Sequence, residues 1–264
     1  MIDFHNHVLP DVDDGPKLVQ DSLDMLRFAS MQGIKKVINT VHFQHPKMDG
    51  KNTDYNYLVT KVDNLQKMIS GEDFEIEILL SAEVFYLPNL VEISDNPLTT
   101  IGNKKFMLIE FLSNIYPTGY EKEFFKLQQI GITPIVAHPE RYRFIQKNIN
   151  ILADWKNRGY IIQIDGGSIL GHFGKNIQNV TLDMINNGYV HLIGSDAHNN
   201  KKRNFCLFDA YEFLKKEFSC ELVKALIENS ENILEGKKII NIKKSMNKSR
   251  FSYIKEKVFK IRKF

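Results

Sequence analysis

With 264 residues, 43% of them hydrophobic and 25% charged, the chain has the composition of a globular protein with a full core. No apolar run approaches the roughly 20 residues that cross a bilayer. Cys206 and Cys220 lie far from any C-x-x-C spacing, which argues against a disulfide framework or a zinc ribbon and leaves both thiols to pack on helix faces.

The amino terminus lacks a basic region followed by an apolar one, so no secretory signal is expected and a cytoplasmic location follows. Ile2-Asp3-Phe4 starts a strand that runs into His5-Asn6-His7. In an extended segment residues two apart share a face, so His5 and His7 can chelate one transition metal together. Asp11, Asp13 and Asp14 follow as hard oxygen donors, and Gly15-Pro16 breaks the chain before a helix over Leu18 to Gly33.

Lys36 to Val41 reads as a buried strand delivering His42, followed by a polar loop over Gln44 to Thr53. A helix over Asp54 to Ser70 precedes a strand over Phe74 to Ser81, with Glu83 just past its end. A short helix near Asn89 leads to a strand over Lys105 to Phe111 that carries Glu110, then a helix over Tyr120 to Ile130. The fifth strand, Thr133 to Ala137, delivers His138. A helix over Asn148 to Arg158, a strand over Tyr160 to Ile164 and a helix around Ile177 to Asn187 follow. The last strand, Tyr189 to Ile193, leads into Gly194-Ser195-Asp196-Ala197-His198, and Arg203 to Glu228 is helical in one or two pieces.

Seven strands alternating with helices predict a parallel α/β architecture. Closed parallel barrels carry their chemistry at the carboxyl ends of the strands, where these polar residues collect, so a barrel-like (β/α)7 arrangement is expected. Five histidines and several carboxylates are too many for one tetrahedral zinc and suit a cluster of two or three ions. Imidazole and carboxylate without thiolate fit Mn, Fe or Zn, and such a cluster predicts hydrolysis of a phosphate ester. Arg141, three residues beyond His138, and Arg203, five beyond His198, are placed to bind phosphate oxygens.

The opening MIDFHNHVLPDVDDGPK, His42, SAEVFY, MLIEF, AHPERY, GSILGHFGK and IGSDAHN resemble, in order, the PHP (polymerase and histidinol phosphatase) superfamily. Within it the likeness is to the bacterial manganese-dependent protein-tyrosine phosphatases of capsule and exopolysaccharide operons. The resemblance implies a distorted (β/α)7 barrel holding three Mn2+ ions. It implies His5, His7, Asp14, His42, Glu83, Glu110, His138, Asp196 and His198 as metal ligands, with Glu110 bridging and His5, His7 and Asp196 serving one ion. Arg141 and Arg203 correspond to the phosphate-binding arginines. The implied substrate is a phosphotyrosine-bearing tail of a membrane-associated tyrosine kinase. One departure stands out: many relatives have T-P-H-H where this chain has Thr40-Val41-His42-Phe43, so the position after His42 has no implied role.

The expected mechanism has no phosphoenzyme. A metal-activated hydroxide attacks phosphorus in line, the arginines stabilise the equatorial oxygens, and phenolate leaves readily, with His198 or a metal-bound water available as general acid. Neither cysteine sits in a C-x5-R loop, which argues against a cysteine nucleophile. His191 is expected to be a hydrogen-bonded core residue, His172 a loop residue near the mouth, and His45 a loop residue without a role. Tyr142 and Phe144 are candidates to flank a substrate ring, although packing is their commoner role.

The net charge of +3 is uneven, because residues 237–264 carry eleven Lys or Arg against Glu256, a balance of +10 that leaves the remainder at −7. Residues 1–236 are therefore read as the catalytic barrel. Residues 237–264, with Phe251, Ile254, Val258 and Ile261 at helical spacing, are read as a basic amphipathic tail able to lie on the inner face of an anionic membrane. The acidic body argues against nucleic acid. Three other readings are a small-molecule phosphatase of the histidinol phosphatase kind, a nucleic-acid phosphoesterase and a non-catalytic regulatory domain.

Overall fold

The computed structural model describes residues 1–48 and 50–244. Its strands are β1 Ile2–Asn6, β2 Lys36–Phe43, β3 Glu77–Phe85, β4 Phe106–Glu110, β5 Thr133–Ala137, β6 Ile161–Asp165 and β7 Leu192–Gly194. They lie in the order β1 to β7 and every neighbouring pair is parallel. Parallel neighbours need crossover connections, and these carry α1 Val19–Met31, α2 Tyr55–Ile69, α3 Leu90–Ile93, α4 Tyr120–Gln129, α5 Arg143–Lys147, α6 Ile151–Asn157, α7 Gly166–Leu170 and α8 Lys175–Asn186. Two further helices, α9 Leu207–Glu217 and α10 Cys220–Leu234, follow β7.

The first and last strands meet. Asn6 and Ala197 form a parallel bridge, the Asp196 amide donates to the His5 carbonyl at 2.7 Å, and the His7 amide donates to the Ala197 carbonyl at 2.8 Å. The Asp3 carboxylate adds a side-chain link, accepting from the Ser195 amide at 3.1 Å. The expected barrel is thus present, with a short seam.

Alternate positions along the strands show how the sequence stacks the interior. Ile38, Phe106, Leu108, Ile135, Ile161 and Leu192 pack with Ile2 and Phe4 into one apolar cluster, joined by Ile101 and Ile233. Two or four residues further along the same faces stand His42, Glu110, Gln163 and Asp165. On their inner sides β2, β4 and β6 therefore pass from apolar to polar along the strand. In β1 the register slips between Asp3 and Asn6, a bulge that lets Phe4 join the apolar cluster and His5 the polar layer above it. The larger hydrophobic cluster lies between strands and helices and includes Trp155, whose indole N–H donates to the Tyr120 hydroxyl at 2.8 Å.

Several sequence expectations shift. β3 begins at Glu77 and runs through Glu83, which lies inside the strand rather than past its end. The helix expected over 148–158 is the shorter α6, preceded by a 3-10 turn at Pro139–Arg141 and by α5. β7 starts three residues later than expected, and α7 was missed. Arg203 is not helical: Asn199 Oδ1 accepts from the amides of Lys201, Lys202 and Arg203 at 3.1, 2.9 and 3.2 Å, so the chain turns there and α9 waits for Leu207. Cys206 is buried as expected, but Cys220 is exposed.

The boundary drawn at residue 236 falls inside a packed segment. Ile242 is buried, the Ile240 amide donates to Asn229 Oδ1 at 2.6 Å, and Lys156 Nζ donates to the Ile242 carbonyl at 2.7 Å. The rest of the basic tail, 245–264, lies outside the described residues. Among the described residues no helix is long and apolar enough to cross a membrane.

His191 is a core residue, 3% exposed, and its Nδ1 accepts from the Ile162 amide at 3.2 Å. Burial, then the nearby Lys156 charge, lowers its pKa from 6.5 to about 4. The folded protein favours the neutral ring, whereas the unfolded chain takes up a proton below pH 6.5. The contribution is therefore complete above pH 6.5 and lost as pH falls toward 4, on the order of 3 kcal/mol. His191→Gln should flatten that loss: in urea unfolding of chelator-treated protein at pH 7 and pH 4.5, its stability should fall less than that of wild type. Equal falls would mean that His191 does not titrate on unfolding.

Candidate metal centre

All nine residues singled out as ligands reach one end of the barrel. His5 is the penultimate residue of β1, with His7 just beyond the strand; His42 and Glu83 lie in β2 and β3, and Glu110 closes β4. His138 follows β5, Asp196 and His198 follow β7, and Asp14 comes from the loop after β1. A cavity of about 240 Å3 is lined by Asp14, His42, Glu83, Glu110, His138, Asp196 and His198, and also by Arg141 and Arg203. A larger groove of about 600 Å3, beside Lys35, Gln66 and Glu77, holds no imidazole, so volume does not mark the chemistry.

Donor atoms fall into four sets, each within 4.8 Å: His7, Asp14, His42 and His198; His5, His7 and Asp196; His5, Glu83 and His138; His42, Glu83 and Glu110. Glu83 is the central carboxylate. Its oxygens lie 2.6 Å from His138 Nε2, 3.2 Å from His5 Nε2, 3.3 Å from His42 Nδ1 and 3.5 Å from His7 Nε2. Glu110 belongs to one set, through His42 Nδ1 at 3.1 Å. Glu83 belongs to two of the donor sets, whereas Glu110, the bridging carboxylate that the resemblance implies, belongs to one.

The imidazoles are oriented for metal. His5 Nδ1 pairs with Gln163 Oε1 at 3.1 Å and His7 Nδ1 with Asp13 Oδ2 at 2.8 Å. Those partners accept the Nδ1 protons and so turn Nε2 of both rings, buried without a hydrogen bond, toward Glu83 and Asp196. His198 Nδ1 donates to the Asp196 carbonyl at 2.9 Å, leaving its Nε2 bare, 3.1 Å from Asp14 Oδ1. That tautomer favours a ligand over a proton donor. The residues present therefore fit a group of divalent cations.

Charge explains why such a pocket holds together. Burial alone would lower the pKa of His5, but Glu83 and Asp196 outweigh it and raise it to about 10. For His42 burial also opposes, and hydrogen bonds to Asp14 and Glu110 lift it to about 12. Burial would raise Glu83, yet His5 and His138 hold it well below the usual carboxylate range. Protons and metal ions compete for the same ring nitrogens, so loading releases protons. Backbone strain concentrates here too: His138 and Asp196 have φ of 31° and 50°, a left-handed conformation that costs about 1–3 kcal/mol at a residue other than glycine.

Both arginines reach the site. Nη2 of each lies 2.6 Å from Asp196 Oδ2, and the Arg141 guanidinium also touches Asp165 and lies 4.2 Å from the centre of the Phe173 ring. Nε of each is buried without a hydrogen-bond partner. Sequence reasoning missed the supports. Asp13, grouped with the ligands at first, instead holds His7 and accepts from the His42 amide at 3.2 Å. Gln163 and Asp165, polar residues at inward positions of an apolar strand, were a readable signal. His45 lies at the mouth, its ring 5.0 Å from that of His42 and its Nε2 3.9 Å from Glu110, contrary to the expectation of an idle loop residue. Tyr142 is buried, accepting from the Phe111 amide at 2.9 Å and donating to the Ala137 carbonyl at 2.7 Å, so it packs rather than meeting a substrate. Asp11 enters none of the four donor sets.

The family model for capsular polysaccharide synthesis, CpsB/CapC, matches residues 1–235. Tyrosine-protein phosphatase YwqE of Bacillus subtilis is 35% identical over 240 residues, covering 90% of this chain and 93% of that one. Tyrosine-protein phosphatase CpsB of Streptococcus agalactiae is 29% identical over 244 residues, 89% of this chain and 99% of that one. A crystal structure from work on YwqE of Bacillus subtilis and CpsB of Streptococcus pneumoniae, metal-dependent tyrosine phosphatases, matches with TM-score 0.87 and 33% identity. It covers 94% of this chain and 99% of that chain. An organophosphorus hydrolase variant from Deinococcus radiodurans, at 13% identity and TM-score 0.54, covering 89% of this chain and 92% of that one, shares the fold alone.

Asp13→Asn should weaken metal binding by roughly 10- to 100-fold, as loss of a carboxylate partner to a ligating imidazole does. Titration of chelator-treated protein with Mn2+ would measure it; an unchanged affinity would remove Asp13 from the site.

Proposed function

The chain belongs to the CpsB/CapC family of capsular polysaccharide synthesis, and we propose that it is a metal-dependent protein-tyrosine phosphatase. The observation that carries the reading is the pair of buried, unpartnered guanidinium Nε groups, on Arg141 and Arg203, beside a pocket of imidazoles and carboxylates. Buried donors without partners are costly, and the equatorial oxygens of a phosphoryl group would satisfy them.

The ligands proposed are His5, His7, Asp14, His42, Glu83, Glu110, His138, Asp196 and His198. Four residues, His5, His7, His42 and Glu83, each belong to two of the donor sets, so the sets correspond to fewer ions than sets. Three ions, Mn2+ by preference with Fe or Zn as alternatives, suit nitrogen and oxygen donors without thiolate. Bound there, they would supply Lewis acidity and an activated water for in-line displacement.

The protein's own residues do the rest. Arg141 and Arg203 grip the phosphoryl group and offset the charge that grows on it in the transition state. Asp196, which faces both guanidinium groups, fixes their distance from the imidazoles. Phenolate, with a pKa near 10, leaves without a strong acid, so His198 can serve as a ligand. Neither thiol is a nucleophile: Cys206 is buried, with its pKa raised first by burial, and Cys220 opens α10.

The substrate we propose is a phosphotyrosine-bearing tail of a membrane-associated tyrosine kinase that controls capsular or extracellular polysaccharide synthesis. The protein would meet it in the cytoplasm, with the basic stretch near the carboxyl terminus at the inner face of the membrane. Mn2+-loaded protein should hydrolyse a phosphotyrosine peptide in preference to histidinol phosphate or a 5′-phosphorylated oligonucleotide, and chelation should abolish the activity. Arg203→Ala should lower kcat/KM by roughly 100-fold or more, as loss of a transition-state donor does, with metal content retained. Verified metal content without phosphopeptide turnover would overturn the reading.

A further inference from the structure

Asp165 ends β6 at an inward position, fully buried, and it belongs to none of the donor sets that could hold an ion. It is tied twice to the turn that carries Arg141. Its amide donates to Glu140 Oε1 at 2.9 Å, and its Oδ2 is ion-paired with Arg141 Nη2, a charge contact rather than an aligned hydrogen bond. Its other oxygen accepts from Gln163 Nε2 at 3.4 Å, and the same Gln163 pairs with His5. Phe173 covers the guanidinium, and Gly167 leaves room for that arrangement, since a Cβ there would stand 3.1 Å from the Phe173 ring.

Two carboxylates thus share the Nη2 end of Arg141, and their situations differ. Asp196 also faces His5, His7, His198 and Arg203, and it lies in a donor set. Asp165 faces no imidazole within ion-pair distance, and Arg141 is its charged partner among the described residues. A guanidinium carries five N–H donors in a rigid fork, so anchoring one end sets the direction of the others.

We infer that Asp165 is a positioning residue for phosphoryl binding: it holds the Nη2 end of Arg141 so that the rest of the fork is presented to the phosphate oxygens. The inference rests on the phosphatase reading and deepens it. The alternatives are a metal ligand, which the donor sets do not support, and a buried carboxylate that serves packing alone.

The test combines Asp165→Asn, which keeps shape and the bond to Glu140, with Arg141→Ala in a double-mutant cycle. The readouts are metal content, the Kd for inorganic phosphate and kcat/KM on a phosphotyrosine peptide, all with Mn2+-loaded full-length protein. Asp165→Asn should retain its metal, bind phosphate about 10-fold more weakly, and cost nothing further in the Arg141→Ala background. In the Arg203→Ala background its effect should persist. Unchanged phosphate binding, an equal loss without Arg141, or loss of metal would each overturn the proposal. Should wild type bind phosphate yet leave phosphotyrosine intact, the tyrosine-phosphatase reading would fall, while the phosphate cycle would still decide the role of Asp165.

Discussion

The seam between β1 and β7 sets the position of the whole site. Asp196 donates its amide to the His5 carbonyl and His7 donates to the Ala197 carbonyl, so residues nearly two hundred positions apart in sequence are held within hydrogen-bond distance. The approach is close enough that a Cβ at position 194 would stand 2.5 Å from the His5 Cβ, which makes glycine necessary there. Asp3 reinforces the contact by accepting from the Ser195 amide. Without this seam, His5 and His7 would lie at one edge of an open sheet and Asp196 and His198 at the other. A glycine and a bulge, rather than any single ligand, make one pocket of them.

Within the pocket each charged group depends on the others. A buried carboxylate such as Glu83 is tolerated because imidazoles surround it, and the imidazoles hold their places because residues outside the cluster take their second nitrogen. The strained backbone at His138 and Asp196 is retained by the same over-determination: one follows β5 and carries Glu83, the other meets both arginines.

Much of this was legible in the sequence, for physical reasons. Runs such as TPIVA are short, apolar and bounded by glycine or histidine, so their strand state and their end residue could be read together. Polar residues at strand ends pointed to one mouth because parallel barrels expose that end. What was not legible depends on contacts distant in sequence. Asp13 and Asp14 are adjacent acids in one turn, and only the fold separates them, sending Asp13 under His7 and Asp14 toward His42 and His198. The central place of Glu83 follows from β3 running on through it, which its flanking residues did not signal. Arg203, expected to open a helix, follows a turn instead, because the Asn199 side chain accepts from three successive amides there.

Charge also orders the events at the site. Asp13, Asp14, Glu83, Glu110, Asp165 and Asp196 surround or underlie the pocket, and Arg141 and Arg203 answer only two of them. Protonated imidazoles offset part of that charge: against the opposing effect of burial, Glu83 and Asp196 raise the His5 pKa to about 10. Divalent cations held by these residues would take the place of those protons and neutralise the carboxylates instead. Asp196 is shared between imidazoles and both guanidinium groups, whereas Asp165 gives Arg141 a second carboxylate that no imidazole shares.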